Sequence, residues 1–296
     1  MTDANPLVQD VDAQWPTGTS AWRRRGTHAY DALVRGAARV HLPATIAAID
    51  AAGRLAQRAG LHGPRANDVH ALFDWLPDRR IDALARDIAA LHLKNRAAIA
   101  LVEGGRIADL ARLAQWRSTS DRAMVAEGRT GLLIAAAHVG AFFGIRAALQ
   151  GVGRPVLMMR DIAQPDAASR AAVLKRAVDC LRAGEIVVAT LDGPGGTNTC
   201  DVSCLGRRIV LRRGVFTLAR LTSAPIVPVV CAWTPRHRID VQIAPAIDPR
   251  DDGHGAALSE DAMAHRAACW LDDYLRAEPQ QMWPSTMRHY LGAGKA

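Results

Sequence analysis

The sequence predicts an α/β protein: a mostly parallel, covered sheet with flanking helices, preceded by a helical N-terminal region. Three observations carry that expectation. Short apolar-rich runs of strand length, Gly131–Ala137, Glu185–Leu191 and Pro225–Trp233, are bounded by turn residues. Segments with helical spacing lie between them, the alternation that a parallel sheet requires. Residues 30–103 carry the helical period alone.

The elements follow in order. Residues 1–26 are polar and turn-rich and read as a flexible leader. Leu33, Val34, Ala37 and Val40, then Ile46, Ile49 and Leu55, fall on helical spacing, with Pro43 dividing two helices. A second helical region runs from Asn67 to Val102, with Asp78 as an N-cap inside it. Leu110–Trp116 reads as one more short helix. The pattern then changes. Gly131–Ala137 is a buried strand, Phe142–Gln150 a helix, Pro155–Met159 a strand, and Ala167–Ala183 a helix closed by Gly184. Glu185–Leu191 and Arg207–Leu211 are strands and Val215–Thr222 is a helix. Pro225–Trp233 pairs with Ile239–Ile243 as a hairpin, and Ser259–Arg276 is a helix. This divides the chain into a leader (1–26), a helical region packed on the core (27–118) and an α/β core (119–296).

Composition narrows the function. The chain has 296 residues, enough for a sizeable core, and its 49% hydrophobic and 22% charged residues are ordinary for a globular protein. A net charge of +8 favours acidic partners: nucleic acid, anionic membrane or an acidic carrier protein. Scattered surface arginine explains it equally. Arg23, Arg24 and Arg25 form the densest run, but no nucleic-acid-binding signature accompanies them, so no nucleic-acid partner is expected. The five cysteines (Cys180, Cys200, Cys204, Cys231 and Cys269) are odd in number and irregular in spacing, as reduced cytoplasmic thiols are. Cys200 and Cys204 lack a second ligand pair, so no metal is expected. No basic segment leads into an apolar one at the N-terminus, and no apolar run reaches the ~18–20 residues of a membrane span.

Chemistry-bearing residues of a parallel sheet gather beyond the carboxyl ends of its strands. Two segments fall there: His138-Val139-Gly140 and Asp192-Gly193-Pro194-Gly195-Gly196. A histidine at such a junction can take a proton from an attacking hydroxyl or amine and pass it to a leaving group. On local features alone, a core or capping histidine fits as well. The glycine loop has neither the phosphate-loop nor the dinucleotide spacing and reads first as a turn. Asp192 can cap backbone amides or orient a partner. Arg160, beyond the strand Val156–Met159, can hold an anion or stabilise an oxyanion, or form a surface ion pair.

Four segments in order resemble the lysophospholipid-acyltransferase superfamily, and within it the lipid A lauroyl/myristoyl acyltransferases. Gly131–Gly140 is similar to the strand bearing that family's His-x4-Asp/Glu motif. Val156–Arg160 is similar to a block ending in a functional arginine. Glu185–Asp192 is similar to a strand ending in an acid before a substrate loop. Arg212–Val230 resembles the family's small-residue helix and following strand, and Glu278–Trp283 its closing Pro-x-x-Trp region. The resemblance covers about residues 120–296, and residues 67–115 resemble the preceding helices more faintly. It implies a glycerol-3-phosphate acyltransferase-like fold and acyl transfer to an alcohol or amine. The donor would be an acyl-carrier-protein or coenzyme A thioester, with no further cofactor and His138 as general base. Catalytic roles are expected for His138, Arg160 and Asp192. Substrate contacts are expected at Gly140, Phe142, Phe143, Gly193, Gly195 and Gly196.

One position departs from the motif. Phe143 stands where the family has Asp or Glu, and an apolar ring cannot orient an imidazole. Asp192 and Asp161 are the candidate substitutes. The family's usual N-terminal membrane anchor is also missing, which favours a small or carrier-tethered acceptor over lipid A. Secondary-metabolite biosynthesis in the cytoplasm, with a carrier-protein partner, is the resulting expectation. Two alternatives stand beside it. One is a non-catalytic homologue that binds an acyl group or carrier. The other is a peripheral membrane enzyme using Trp15, Trp22 and Arg23–Arg25.

Overall fold

The computed structural model describes residues 21–61, 63–159, 167–192, 198–251 and 253–292, with backbone only for 21–29 and 167–170. In chain order the elements are α1 (Ala21–Arg58), α2 (Ala66–Leu72), α3 (Asp78–Glu103), α4 (Ile107–Ala111), β1 (Ala114–Trp116), α5 (Thr119–Glu127) and β2 (Leu132–Ala136). There follow α6 (Gly144–Leu149), β3 (Val156–Met158), α7 (Ala167–Arg182), β4 (Ile186–Thr190), β5 (Thr199–Cys204) and β6 (Arg207–Arg212). The last are α8 (Arg213–Thr222), β7 (Ile226–Trp233), β8 (Ile239–Ile243), α9 (Glu260–Ala277), a 3₁₀ turn (Pro279–Gln281) and α10 (Pro284–Gly292).

Six strands form one mixed, mostly parallel sheet in the order β1-β8-β7-β2-β4-β3, and β5–β6 is a separate antiparallel hairpin. β2 is central and runs parallel to both β4 and β7; only β7–β8 is antiparallel. Every residue of β2, β4 and β7 is buried, as expected where helices cover both faces. The two faces of β2 feed two cores. Leu133, Ala135 and Ala137 pack with α2, α8, α9 and α10, while Leu132, Ile134 and Ala136 pack with α1, α3, α4 and α6.

The helical N-terminal region feeds both cores: α2 and the first half of α3 join the first, and α1, the rest of α3 and α4 join the second. α1 is two helices joined at a kink, where His41 is extended (φ −157°, ψ 97°) two residues before Pro43. α1 comes close to α3 at Gly53, where a Cβ would stand 2.6 Å from the Ala90 Cα. Beside that contact Lys94 is buried and ion-paired to Asp50 at 2.7 Å, and it lies 5.5 Å from the Trp233 ring centre. Burial pulls the Lys94 amine below its usual range even though Asp50 holds its proton. Replacing Asp50 with Ala leaves a buried cation without its carboxylate. The expected cost is about 3 kcal/mol, measured as a lowered denaturant midpoint; an unchanged midpoint would show that the pair contributes nothing.

Some elements differ from the sequence expectation. Leu110–Trp116 is not one helix: α4 ends at Ala111, and Ala114–Trp116 forms edge strand β1, parallel to β8. Three residues are too few to display a period of two, and their partner lies far away in sequence. Asp78 is the first helical residue and not an N-cap; extended Pro77 (ψ 144°) holds that position, and no side chain caps it. An acid in the first turn still complements the helix dipole. Strand β5 and helices α5 and α10 were not anticipated. α5 is capped by Ser118, whose hydroxyl accepts from the Ser120 and Asp121 amides at 3.1 and 3.4 Å. α1 begins at Ala21, within the stretch expected to be a leader; residues 1–20 lie outside the described ones.

Candidate active site at the ends of two parallel strands

The register of β2 and β4 places the site. Ala136 lies opposite Thr190, so the residues two positions beyond each strand, His138 and Asp192, emerge side by side. The contact between them is double. Asp192 Oδ1 accepts the His138 backbone N–H at 2.8 Å and lies 2.9 Å from the imidazole Nδ1. Asp192 is 1% exposed, whereas the His138 side chain is 17% exposed.

Electrostatics assigns the roles. Burial works to raise the Asp192 carboxyl, but the charge of His138 and the two hydrogen bonds from it prevail and hold it below its usual range. Asp192 is therefore a carboxylate at neutral pH, and a carboxylate only accepts. The imidazole must then carry its proton on Nδ1, which makes Nε2 the basic nitrogen. A carboxylate–imidazole pair of this kind can take up a proton at Nε2.

The turn that carries His138 is held from several sides. Gly140 adopts φ +57°, and a Cβ there would meet the Cys231 carbonyl oxygen at 2.0 Å, so only glycine fits. Its amide donates to the Gln281 carbonyl at 2.6 Å. Its own carbonyl accepts from Asn95 Nδ2 and from Trp283 Nε1, each at 2.7 Å. Asn95 also accepts from Trp233 Nε1 at 2.9 Å, which ties α3 to β7. Thr286 of α10 donates to the His138 carbonyl at 2.9 Å.

An aromatic wall borders the imidazole. Phe142 stacks on it with ring centres 4.6 Å apart at 26°, and Trp283 meets it edge-on at 5.9 Å. Phe143 stacks on Trp283 at 6.2 Å and 29°. Phe143 thus joins the apolar wall, and the carboxylate beside the imidazole is Asp192, from beyond β4.

No family model and no curated protein matches this chain.

The described residues thus bring together five of the expected positions: His138, Asp192, Gly140, Phe142 and Phe143. Arg160, Asp161, Gly193, Gly195 and Gly196 lie outside the described residues. Asn95, Gln281 and Thr286 were not anticipated as parts of the site. Asn95 is 3% exposed although it stands between Lys94 and Arg96 in α3; in sequence that charged setting gives no signal of a buried amide. Among the described residues, no group of three or more His, Cys, Asp or Glu side chains could hold a metal ion. Burial, joined by hydrogen bonding to Asp261, pushes the Cys200 thiol up to about 12, and burial raises the Cys204 thiol further. Both are poor sources of thiolate. No helix among the described residues is long and apolar enough to cross a membrane.

Proposed function

We propose that this chain is an acyltransferase of the lysophospholipid-acyltransferase type, in which Asp192 replaces the acid that the motif normally supplies five residues after the histidine. The observation that carries the reading is the paired contact of His138 with buried Asp192. In the proposed reaction His138 Nε2 takes the proton from an acceptor hydroxyl or amine. The freed electron pair attacks the thioester carbonyl, the C–S bond breaks, and the proton passes to the departing thiolate. A thioester is already activated, so one oriented base suffices.

The donor class in this reading is a carrier-protein or coenzyme A thioester. The net charge of +8 supports an acidic carrier protein as the docking partner. A small or carrier-tethered amine or alcohol in cytoplasmic secondary metabolism is the acceptor class. The non-catalytic alternative rests on the apolar residue at 143, and the Asp192 contact supports the catalytic reading over it.

The test is mass spectrometry of the purified chain with a panel of acyl-carrier and acyl-coenzyme A thioesters and amine and alcohol acceptors. Wild type is expected to acylate an acceptor over many turnovers, and His138→Ala to lose that activity while remaining folded. Full activity in His138→Ala would refute the general-base mechanism. Thioester binding with no turnover across the panel would favour the non-catalytic reading.

A further inference from the structure

We infer that Tyr290 is a positioning residue of this site: its hydroxyl donates to Asp192 Oδ2 through a single bridging water, and so fixes the carboxylate that orients His138. The role in acyl transfer rests on the function proposed above, but the hydrogen-bond chain itself is testable without substrate.

Asp192 spends only one of its oxygens on His138. Both contacts with the histidine fall on Oδ1, and Oδ2 is buried with no hydrogen-bond partner. An ionised carboxylate has about four acceptor positions, and a buried oxygen without a donor costs about 1–3 kcal/mol. Tyr290 presents the complementary problem. It is 1% exposed, and its hydroxyl is buried and also without a partner.

α10 runs along the site. Thr286, in the first turn of α10, bonds the carbonyl of His138. Tyr290 is four residues further, on the same face of the helix. Burial raises the Tyr290 hydroxyl well above its usual range, and Asp192 is the leading charge that raises it further. Tyr290 is thus a neutral phenol, able to donate, within the field of a carboxylate that lacks a donor. The other titratable group acting on the hydroxyl is Cys204 of β5, which burial keeps protonated. The resulting chain runs Tyr290, Asp192, His138.

The experiment uses the full chain with ring-labelled histidine and follows the His138 titration by NMR, its signal identified by its loss in His138→Ala. Removing the phenol in Tyr290→Phe leaves more charge on Asp192, which holds the imidazolium more tightly. The His138 midpoint should therefore rise by about half a unit or more. Tyr274→Phe is the control. Tyr274 is also buried with an unpartnered hydroxyl, but the charges acting on it are Glu278, Cys231 and Arg117. That variant should leave the His138 midpoint at its wild-type value, which a general loss of packing would not. An unchanged midpoint in Tyr290→Phe would overturn the inference.

A second measurement needs no change at Tyr290. The chain has three tyrosines, so Cζ-labelled tyrosine gives three signals. Asp192→Asn should move the Tyr290 signal and leave Tyr30 in place, and a stationary Tyr290 signal would overturn the inference. If these responses appear in a protein that transfers no acyl group, the chain of hydrogen bonds stands and the acyltransferase reading falls. If transfer occurs without them, the reverse holds.

Discussion

Under the acyltransferase function proposed above, replacing Asp192 with Asn should lower transfer by about 10²- to 10⁴-fold while the protein stays folded. The upper figure is the cost of removing the charge of the orienting acid in a serine-protease triad; the activated thioester accounts for the lower one. An Asn oxygen can still accept the backbone N–H of His138, so the turn survives. The amide NH₂, however, can point at Nδ1 and force the proton onto Nε2, the nitrogen that must act as base. Neutral Asn also gives the imidazolium no counter-charge during the reaction. Steady-state kinetics beside wild type would measure the loss, and wild-type kcat/KM in Asp192→Asn would remove Asp192 from the mechanism. Linkage gives the same pair a pH signature. A carboxyl held below its unfolded value contributes stability that is complete above about pH 4 and is lost as pH falls through the lower, folded value. Denaturant unfolding between pH 3 and 7 should therefore show wild type losing its advantage over Asp192→Asn only at the acid end.

Gly140→Ala should be more disruptive than its single methyl suggests. A left-handed backbone costs an L-residue about 1–2 kcal/mol. The steric clash costs more, because the new Cβ would sit 2.0 Å from the Cys231 carbonyl oxygen, a backbone atom that cannot rotate away. That same oxygen accepts the Ala141 amide at 2.5 Å. Moving it opens the turn, and the Gln281, Asn95 and Trp283 bonds to Gly140 go with it. A loss of about 3–5 kcal/mol is expected, together with loss of activity. Thermal melting and soluble yield would show it. A variant that melts with wild type would mean that the turn is far softer than its contacts imply.

The sequence revealed each half of the dyad but not the dyad. His138 and Asp192 both follow buried strand-length runs, and residues beyond strand ends are where parallel sheets place chemistry. Their union depends on β4 lying next to β2, with Ala136 facing Thr190. That is a property of strand order, which local periodicity does not encode. The aromatic wall was half legible: Phe142 and Phe143 adjoin His138 in sequence, but Trp283 arrives from far along the chain. Asn95 was hidden for a related reason. On a helix read for its apolar stripe, one amide looks like a surface residue, and only the turn it meets makes it a brace. The short edge strand β1 was read as helix because its pairing partner, β8, supplies the information that three residues cannot.

The strap across Gly140 also sets when the site can exist. During translation Trp283 leaves the ribosome 143 residues after the glycine whose carbonyl it holds, and Thr286 comes 148 residues after His138. A nascent chain therefore carries its histidine and its aspartate long before Trp283 and Thr286 can brace the turn that bears His138. The turn gains its last braces only once α10 has emerged, so a chain interrupted before that helix carries both residues of the pair without the contacts of Trp283 and Thr286.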